Sequence, residues 1–148
     1  MKKFSFSLNA VKDYKEKMLE NIKIEHAALM ESVAMQEQLI QGMEETEHIV
    51  CLELNEKNSK GIAPYELVNY QRYLRVLQND IMTECEKLGR LHRMEEAKRE
   101  ELIELKKETA SFEKLEEKKL KEYDNKARKE QEAFIEEFIS NKNFSGKS

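Results

Sequence analysis

Apolar residues recur at steps of three and four from Leu8 onward. Ten of the fourteen positions in this series are apolar, and the four-four step at Met18, Ile22 and His26 has the spacing of a stutter. No proline interrupts the pattern, which therefore predicts one helix over about residues 8–58. The series is Leu8, Val11, Lys15, Met18, Ile22, His26, Leu29, Val33, Gln36, Ile40, Met43, Glu47, Val50 and Leu54.

The pattern breaks at residues 59–64, where we predict a turn. Gly61 suits the left-handed position that follows a helix, and Pro64 suits the first turn of the next helix, where its missing N–H is not needed. A second series then alternates strictly and predicts a helix over about residues 65–140. Its first fourteen positions are Leu67, Tyr70, Leu74, Leu77, Ile81, Glu84, Leu88, Leu91, Glu95, Lys98, Leu102, Leu105, Thr109 and Phe112.

The two series mesh when the chain folds back at the turn. From Leu54 with Leu67 to Leu8 with Phe112, the numbers of opposing positions add to 120 or 121. This register predicts polar layers inside the seam, which weaken the pairing but oppose slippage. It also places the acidic run 44–47 opposite two arginines, Arg72 and Arg75. The predicted polar layers are Gln36 with Glu84, His26 with Glu95, and Ile22 near Lys98.

The second helix is predicted to continue past the seam, because no part of the first helix remains to pair with it beyond Phe112. Residues 113–133 contain seven acidic and seven basic residues among 21. Local opposite-charge pairs favour a solvated helix there. We therefore expect an overhang over 113–140 and a frayed tail over 141–148. The expected local pairs are Glu117 with Lys121 and Glu122 with Lys126.

Apolar residues near the two chain ends have no partner in this scheme and are expected at the same end of the hairpin. Clustered exposed apolar groups mark docking surfaces. A second copy of the chain that covers them is the alternative. The expected docking residues are Phe4, Phe6, Phe134, Ile135, Phe138 and Ile139.

Composition agrees with a long helical protein. Ala, Glu, Lys, Leu and Arg make up 77 of the 148 residues, as is typical of coiled coils. The net charge of −4 provides no field for nucleic acid or an anionic membrane, and no apolar window is long enough to span a membrane. The opening residues are too polar for a signal peptide. We expect a single elongated all-α domain over residues 1–148, an antiparallel two-helix coiled coil with an overhanging C-terminal helix, located in the cytoplasm.

The chemically active side chains do not assemble into a catalytic or cofactor site. Cys51 and Cys85 lie at levels about 22 Å apart in this register, too far for a disulfide, and both are expected to be half-buried. His26, His92 and Glu95 could meet as metal ligands, but a seam histidine paired with a carboxylate is the commoner arrangement. The chain has no glycine-rich phosphate loop and no cleft to activate a nucleophile. We expect no enzymatic activity, cofactor or metal.

Four segments carry a resemblance to a known family, and the aromatic motifs in the first two are not demanded by the heptad pattern. They are KFSFSLNAV at residues 3–11, GIAPYELVNYQRYL at 61–74, FEKLE at 112–116 and EQE at 130–132. Together they resemble the FliJ family of the bacterial flagellar export apparatus over nearly the whole chain. The chain departs from that family at Glu136-Glu137, where the family often has an Asp-Glu pair.

The resemblance implies a cytoplasmic component of flagellar type III export, peripheral at the cytoplasmic side of the apparatus. FliJ-like proteins resemble the central stalk of rotary ATPases. The implied partners are the hexameric export ATPase ring, the export-gate protein and substrate chaperones, without nucleic acid or membrane insertion. A monomer is expected, with a dimer as the alternative. Two other classes of function stay open: a structural, self-associating coiled coil, and a chaperone-like protein that holds unfolded clients.

Overall fold

The computed structural model describes residues 2–146. It contains two helices, α1 over Asn9–Lys60 and α2 over Pro64–Gly146, and no strand within the described residues. Both helices begin within one residue of the predicted position, but α2 ends six residues later than expected. Residues 141–146 of the expected tail are therefore helical, and residues 147 and 148 lie outside the described part.

The chain divides into two compact units. The hairpin unit comprises Asn21–Leu102. The described part of the terminal unit comprises residues 2–20 and 103–146. Each unit contains one length of α1 and one length of α2.

A turn of three residues joins the two helices in the hairpin unit. Gly61 has a φ of 98°, which glycine adopts without the steric cost of a Cβ atom. Pro64 is the first residue of α2, and the N–H of Leu67 donates to the carbonyl of Ala63 at 3.1 Å. The carboxylate of Glu66 lies in the first turn, where the helix dipole favours negative charge. The roles predicted for Gly61 and Pro64 are confirmed.

The seam of the hairpin unit follows the predicted series. All predicted seam positions between Ile22 and Leu102 are buried or half-buried. Ile40 and Leu77 form its most buried apolar part. The facing residues rise in number along α1 as they fall along α2, so the two helices of this unit are antiparallel.

Two of the predicted polar layers are present. The side-chain amide of Gln36 donates to the carbonyl of Glu84 at 3.0 Å and also to its carboxylate. His26 Nε2 lies 2.8 Å from Glu95 Oε1. Because each polar group finds its partner only in this alignment, a slip of the helices would leave buried groups unpaired.

Longer side chains meet partners two or three residues beyond the predicted register. Tyr70 donates to Glu53 at 3.0 Å, and Lys98 pairs with Glu25 at 2.9 Å, three residues past Ile22. Side chains tilt toward the N-terminus of their own helix. In an antiparallel pair these tilts are opposed, so extended side chains meet partners of higher number than the backbone alignment gives.

The acidic run 44–47 does not form the ion pairs that its predicted place opposite two arginines would allow. Neither Arg72 nor Arg75 forms an ion pair with it among the described residues, and Glu47 accepts a hydrogen bond from Gln78 at 3.1 Å instead. Exposed ion pairs contribute at most about 1 kcal/mol, so the fold does not depend on this contact.

The seam of the terminal unit departs from the predicted series at the start of α1. Leu8 and Val11 are exposed, while Lys12 donates to a Glu116 carboxylate oxygen and Lys15 pairs with Glu108 at 2.9 Å. Farther along α1 in this unit, Lys15, Met18 and Leu19 are half-buried. Lys15 and Met18 therefore keep their predicted seam positions, whereas Leu8 and Val11 do not.

Two glycine substitutions provide a matched test of backbone strain. A Cβ added at Gly42 meets no atom within 4 Å, so Gly42→Ala should stabilise α1 by about 0.5–1 kcal/mol. Gly61→Ala should destabilise the hairpin by about 1–2 kcal/mol, because an alanine at positive φ is strained. Urea unfolding followed by circular dichroism measures both. A destabilising Gly42→Ala would contradict the open space around this residue.

Glu95 is buried yet charged, because two neighbours compensate it. Arg99 donates through Nε and Nη2, and His26 lies on the same carboxylate. These hydrogen bonds, that from Arg99 first, lower the pKa of Glu95. A carboxyl whose pKa is lower in the folded chain stabilises the fold above its unfolded pKa, near 4.3, and that contribution is lost as the pH falls through the folded pKa.

We therefore expect Glu95→Gln to lower the urea midpoint at pH 7. The difference from the parent chain should shrink as the pH falls below about 4. Glu31→Gln, at an exposed position outside the seam, is the control and should change little. A Glu95→Gln deficit independent of pH would show that packing, and not the charge, holds this layer.

Candidate docking surfaces

The C-terminal residues expected to dock lie on one face of α2 and are exposed. Phe134 is 69% and Phe138 61% exposed, and Ile135 and Ile139 are exposed between them. The spacing i, i+1, i+4 and i+5 places the four side chains on one side of the helix. We call them the tip stripe. Every residue from 128 to 146 is exposed, so the tip stripe has no packing partner in the described chain.

The N-terminal residues expected to dock are packed against the same chain. Phe6 is only 8% exposed, and the ring of Phe4 lies 5.5 Å from that of Tyr123 at an angle of 56°. The Tyr123 hydroxyl donates to the carbonyl of Lys2. The expectation that Phe4 and Phe6 are unpaired is therefore wrong. Residues 2–8, which we call the strap, precede α1 and lie on α2.

The strap explains why pairing along α2 does not end at Phe112. Lys12 contacts Glu116, and the strap contacts Tyr123, so contacts within the chain extend along α2 past the predicted end of the seam. The heptad pattern does not predict the strap, because the strap is not helical. The spacing of the two phenylalanines was the sequence signal that could have predicted the strap, because two aromatic residues near a long helix can pack on its next turns.

One of the two predicted local ion pairs in the charged part of α2 is present. Lys121 pairs with Glu117 at 3.2 Å. Glu122 pairs with Lys119 at 3.6 Å and not with Lys126. Lys126 therefore forms no ion pair among the described residues.

A second apolar surface, absent from the sequence-based expectations, lies along one side of the hairpin unit. It consists of exposed residues from both helices and is called the flank stripe. Leu39 directly precedes the seam residue Ile40, and Tyr73 directly precedes the seam residue Leu74. Both therefore occupy the same heptad position, and equivalent positions of two antiparallel helices lie on the same side of the pair. Its members are Met35, Leu39, Ile49, Tyr73 and Val76.

A groove of about 370 Å³ borders the flank stripe near the turn. Val50, Tyr70 and Tyr73 supply its apolar lining. The Lys57 ammonium lies 5.2 Å from the centre of the Tyr70 ring, within range of a cation–π contact. This side of the hairpin unit thus combines one exposed and one half-buried tyrosine with the ammonium group of Lys57.

The remaining reactive groups do not form a site. Cys51 is half-buried, as expected, and Cys85 is exposed; both are free thiols. His26 lies on Glu95, and His92 Nε2 lies 3.6 Å from Glu37. Within residues 2–146 no three side chains of His, Cys, Asp or Glu gather in a metal-binding arrangement. Neither helix, as far as it is described, has a stretch both long and apolar enough to span a bilayer.

A comparison with protein-family models decides the family. Residues 4–147 match the model described as flagellar FliJ protein. The chain belongs to the FliJ family. The comparisons with curated proteins and with solved structures give no match. As a FliJ-family protein, the chain is a component of the flagellar protein export apparatus, and its family match covers both helices and most of the strap.

Substitution of single phenylalanines distinguishes the packed strap from the exposed tip stripe. We expect Phe6→Ala to lower the free energy of unfolding by about 2–4 kcal/mol, because a buried ring is lost. Phe134→Ala should change it by less than about 0.5 kcal/mol. Urea titration of the two variants measures the contrast, and equal effects would contradict the assignment of the two residues to different environments.

Proposed function

We propose that this FliJ-family protein is a non-enzymatic link within the flagellar export apparatus, at the cytoplasmic side of the membrane. The tip stripe docks on the export ATPase ring. The flank stripe remains available to the export-gate protein or to substrate chaperones. The protein itself performs no chemistry and acts through the contacts of its helices.

The tip stripe is the observation that carries the proposal. Phe134, Ile135, Phe138 and Ile139 expose apolar side chains on a stretch of α2, residues 128–146, that is mostly polar. Burial of each such side chain contributes about 1.5–3 kcal/mol. A stripe of this width suits a helix that enters an apolar groove of a partner, and aromatic residues dominate the affinity of such contacts.

The proposal treats the last part of α2 as an overhanging single helix. The strap covers α2 as far as Tyr123, and residues 128–146 are exposed. A helix free of its own chain can insert into a concave partner without first breaking internal contacts. This is the property that a ring-shaped ATPase requires of a central component.

Two partners can be bound by different units. The flank stripe belongs to the hairpin unit and the tip stripe to the terminal unit. The exposed Leu39 and Tyr73 offer a gate protein or chaperone an apolar surface that shares no residue with the ATPase contact. A substitution in one stripe can therefore remove one partner and leave the other.

Self-association is the principal alternative, because a second copy could cover either stripe. A structural coiled coil would give an elongated dimer in sedimentation equilibrium, whereas the docking proposal expects a monomer at all micromolar concentrations. A chaperone-like holder would instead suppress aggregation of an unfolded client. Loss of that suppression on substitution of the tip stripe would favour the client-holding function.

The decisive experiment compares two phenylalanine substitutions in the tip stripe with one outside it. We expect Phe134→Ala/Phe138→Ala to weaken binding to the export ATPase about 100-fold, because each truncated aromatic anchor costs about a factor of ten or more. Stimulation of ATP hydrolysis should fall in parallel. Deletion of residues 134–148 should abolish stimulation while the far-ultraviolet melting transition of the remaining chain is retained.

Phe144→Ala is the matched control, because Phe144 is 83% exposed but lies on another side of the helix. It should bind and stimulate like the parent chain. Leu39→Ser/Ile49→Ser should also retain stimulation while losing the second partner. Undiminished stimulation by the Phe134→Ala/Phe138→Ala variant would refute docking through the tip stripe.

A further inference from the structure

The strap encloses a concavity with α2 that the proposed function does not use. Its volume is about 510 Å³, within the range of about 300–1,000 Å³ common for ligand pockets. Phe4 and Tyr123 provide an aromatic wall, and their ring contact holds the two sides together. We call it the strap pocket.

Lysines dominate the charge of the strap pocket. Lys2, Lys3, Lys119 and Lys126 line it, with Glu130 as the one acidic residue among its described lining. Lys119 forms an ion pair with Glu122. Lys2, Lys3 and Lys126 form no ion pair among the described residues. The pocket is thus lined by three lysines that form no ion pair among the described residues and by a fourth that does.

This positive charge contrasts with the rest of the chain. The hairpin unit contains 16 acidic and 10 basic residues, and the net charge of the whole chain is −4. Grouping like charges around a concavity is unfavourable in the free protein. An anionic ligand would remove that cost, and lysine ammonium groups are effective point charges for carboxylates or phosphates.

The shape of the strap pocket favours a peptide over a small anion or a membrane. Lys119 and Lys126 are seven residues apart on α2, about 10 Å, and the strap lysines lie across the pocket from them. Three residues of extended chain span that distance, whereas a single phosphate cannot reach all four lysines. The aromatic wall can receive an apolar side chain between carboxylates. A planar anionic membrane would not enter a concavity.

We propose that the strap pocket binds an extended acidic segment of a partner protein, with carboxylates on the four lysines and an apolar side chain against Phe4 and Tyr123. This contact is independent of the tip stripe, which contributes no residue to it. An acidic segment bound here would lie on the strap and on α2 at once. It would therefore also hold the strap in place.

The test uses the full chain and two fluorescein-labelled heptapeptides, GEEFEEG and its uncharged counterpart GQQFQQG. Fluorescence anisotropy at about 50 mM salt should give saturable binding of the acidic peptide and none of the glutamine peptide. Lys3→Gln/Lys126→Gln should weaken binding about tenfold. Lys106→Gln/Lys107→Gln removes the same charge at exposed positions outside the pocket and should weaken it less than twofold.

A second measurement locates the site without any substitution. In a nitrogen-15 spectrum of the parent chain, the acidic peptide should shift amides of residues 2–8 and 119–130 and leave the hairpin unit unchanged. Equal losses in the two double variants, or shifts spread over the chain, would overturn the proposal in favour of general charge attraction. Displacement by inorganic phosphate at equal concentration, or sedimentation with phosphatidylglycerol vesicles without peptide binding, would overturn it in favour of the other anions.

Discussion

The structure depends on burial of one narrow stripe of each helix against the other. Within residues 2–146 the core contains few buried apolar side chains, and none of the larger ones is fully buried. Stability is therefore distributed along the seam in many half-buried contacts of about equal weight. A protein built this way leaves most of each helix surface free for contact with other molecules.

The three-four spacing of apolar residues predicted the features of the fold that depend on this spacing. The helices, the turn at Gly61 and Pro64, and the pairs Gln36–Glu84 and His26–Glu95 follow from local spacing and from one fold-back of the chain. The strap could not be found in this way, because residues 2–8 follow no helical repeat and depend on the fit of Phe6 and Phe4 to α2. The prediction for Leu8 was also wrong. This apolar residue near the start of α1 was assigned to the seam, whereas the side chain of Lys12 extends along the seam instead.

The two candidate docking surfaces also differ in whether the sequence predicts them. The tip stripe could be identified from sequence because no partner remained for Phe134 and Phe138. The flank stripe could not, since Leu39 and Tyr73 become one surface only after two distant segments are aligned.

The turn at Gly61 also decides how pairing responds to dilution. Two separate chains in a coiled coil fall apart as their concentration drops, whereas two helices joined by three residues meet at an effective concentration set by the connection alone. The alignment of α1 with α2 in the hairpin unit is therefore the same for one molecule as for many. A component present in very few copies therefore keeps its binding surfaces assembled. Pairing of its two helices does not require a minimum concentration of the protein in the cell.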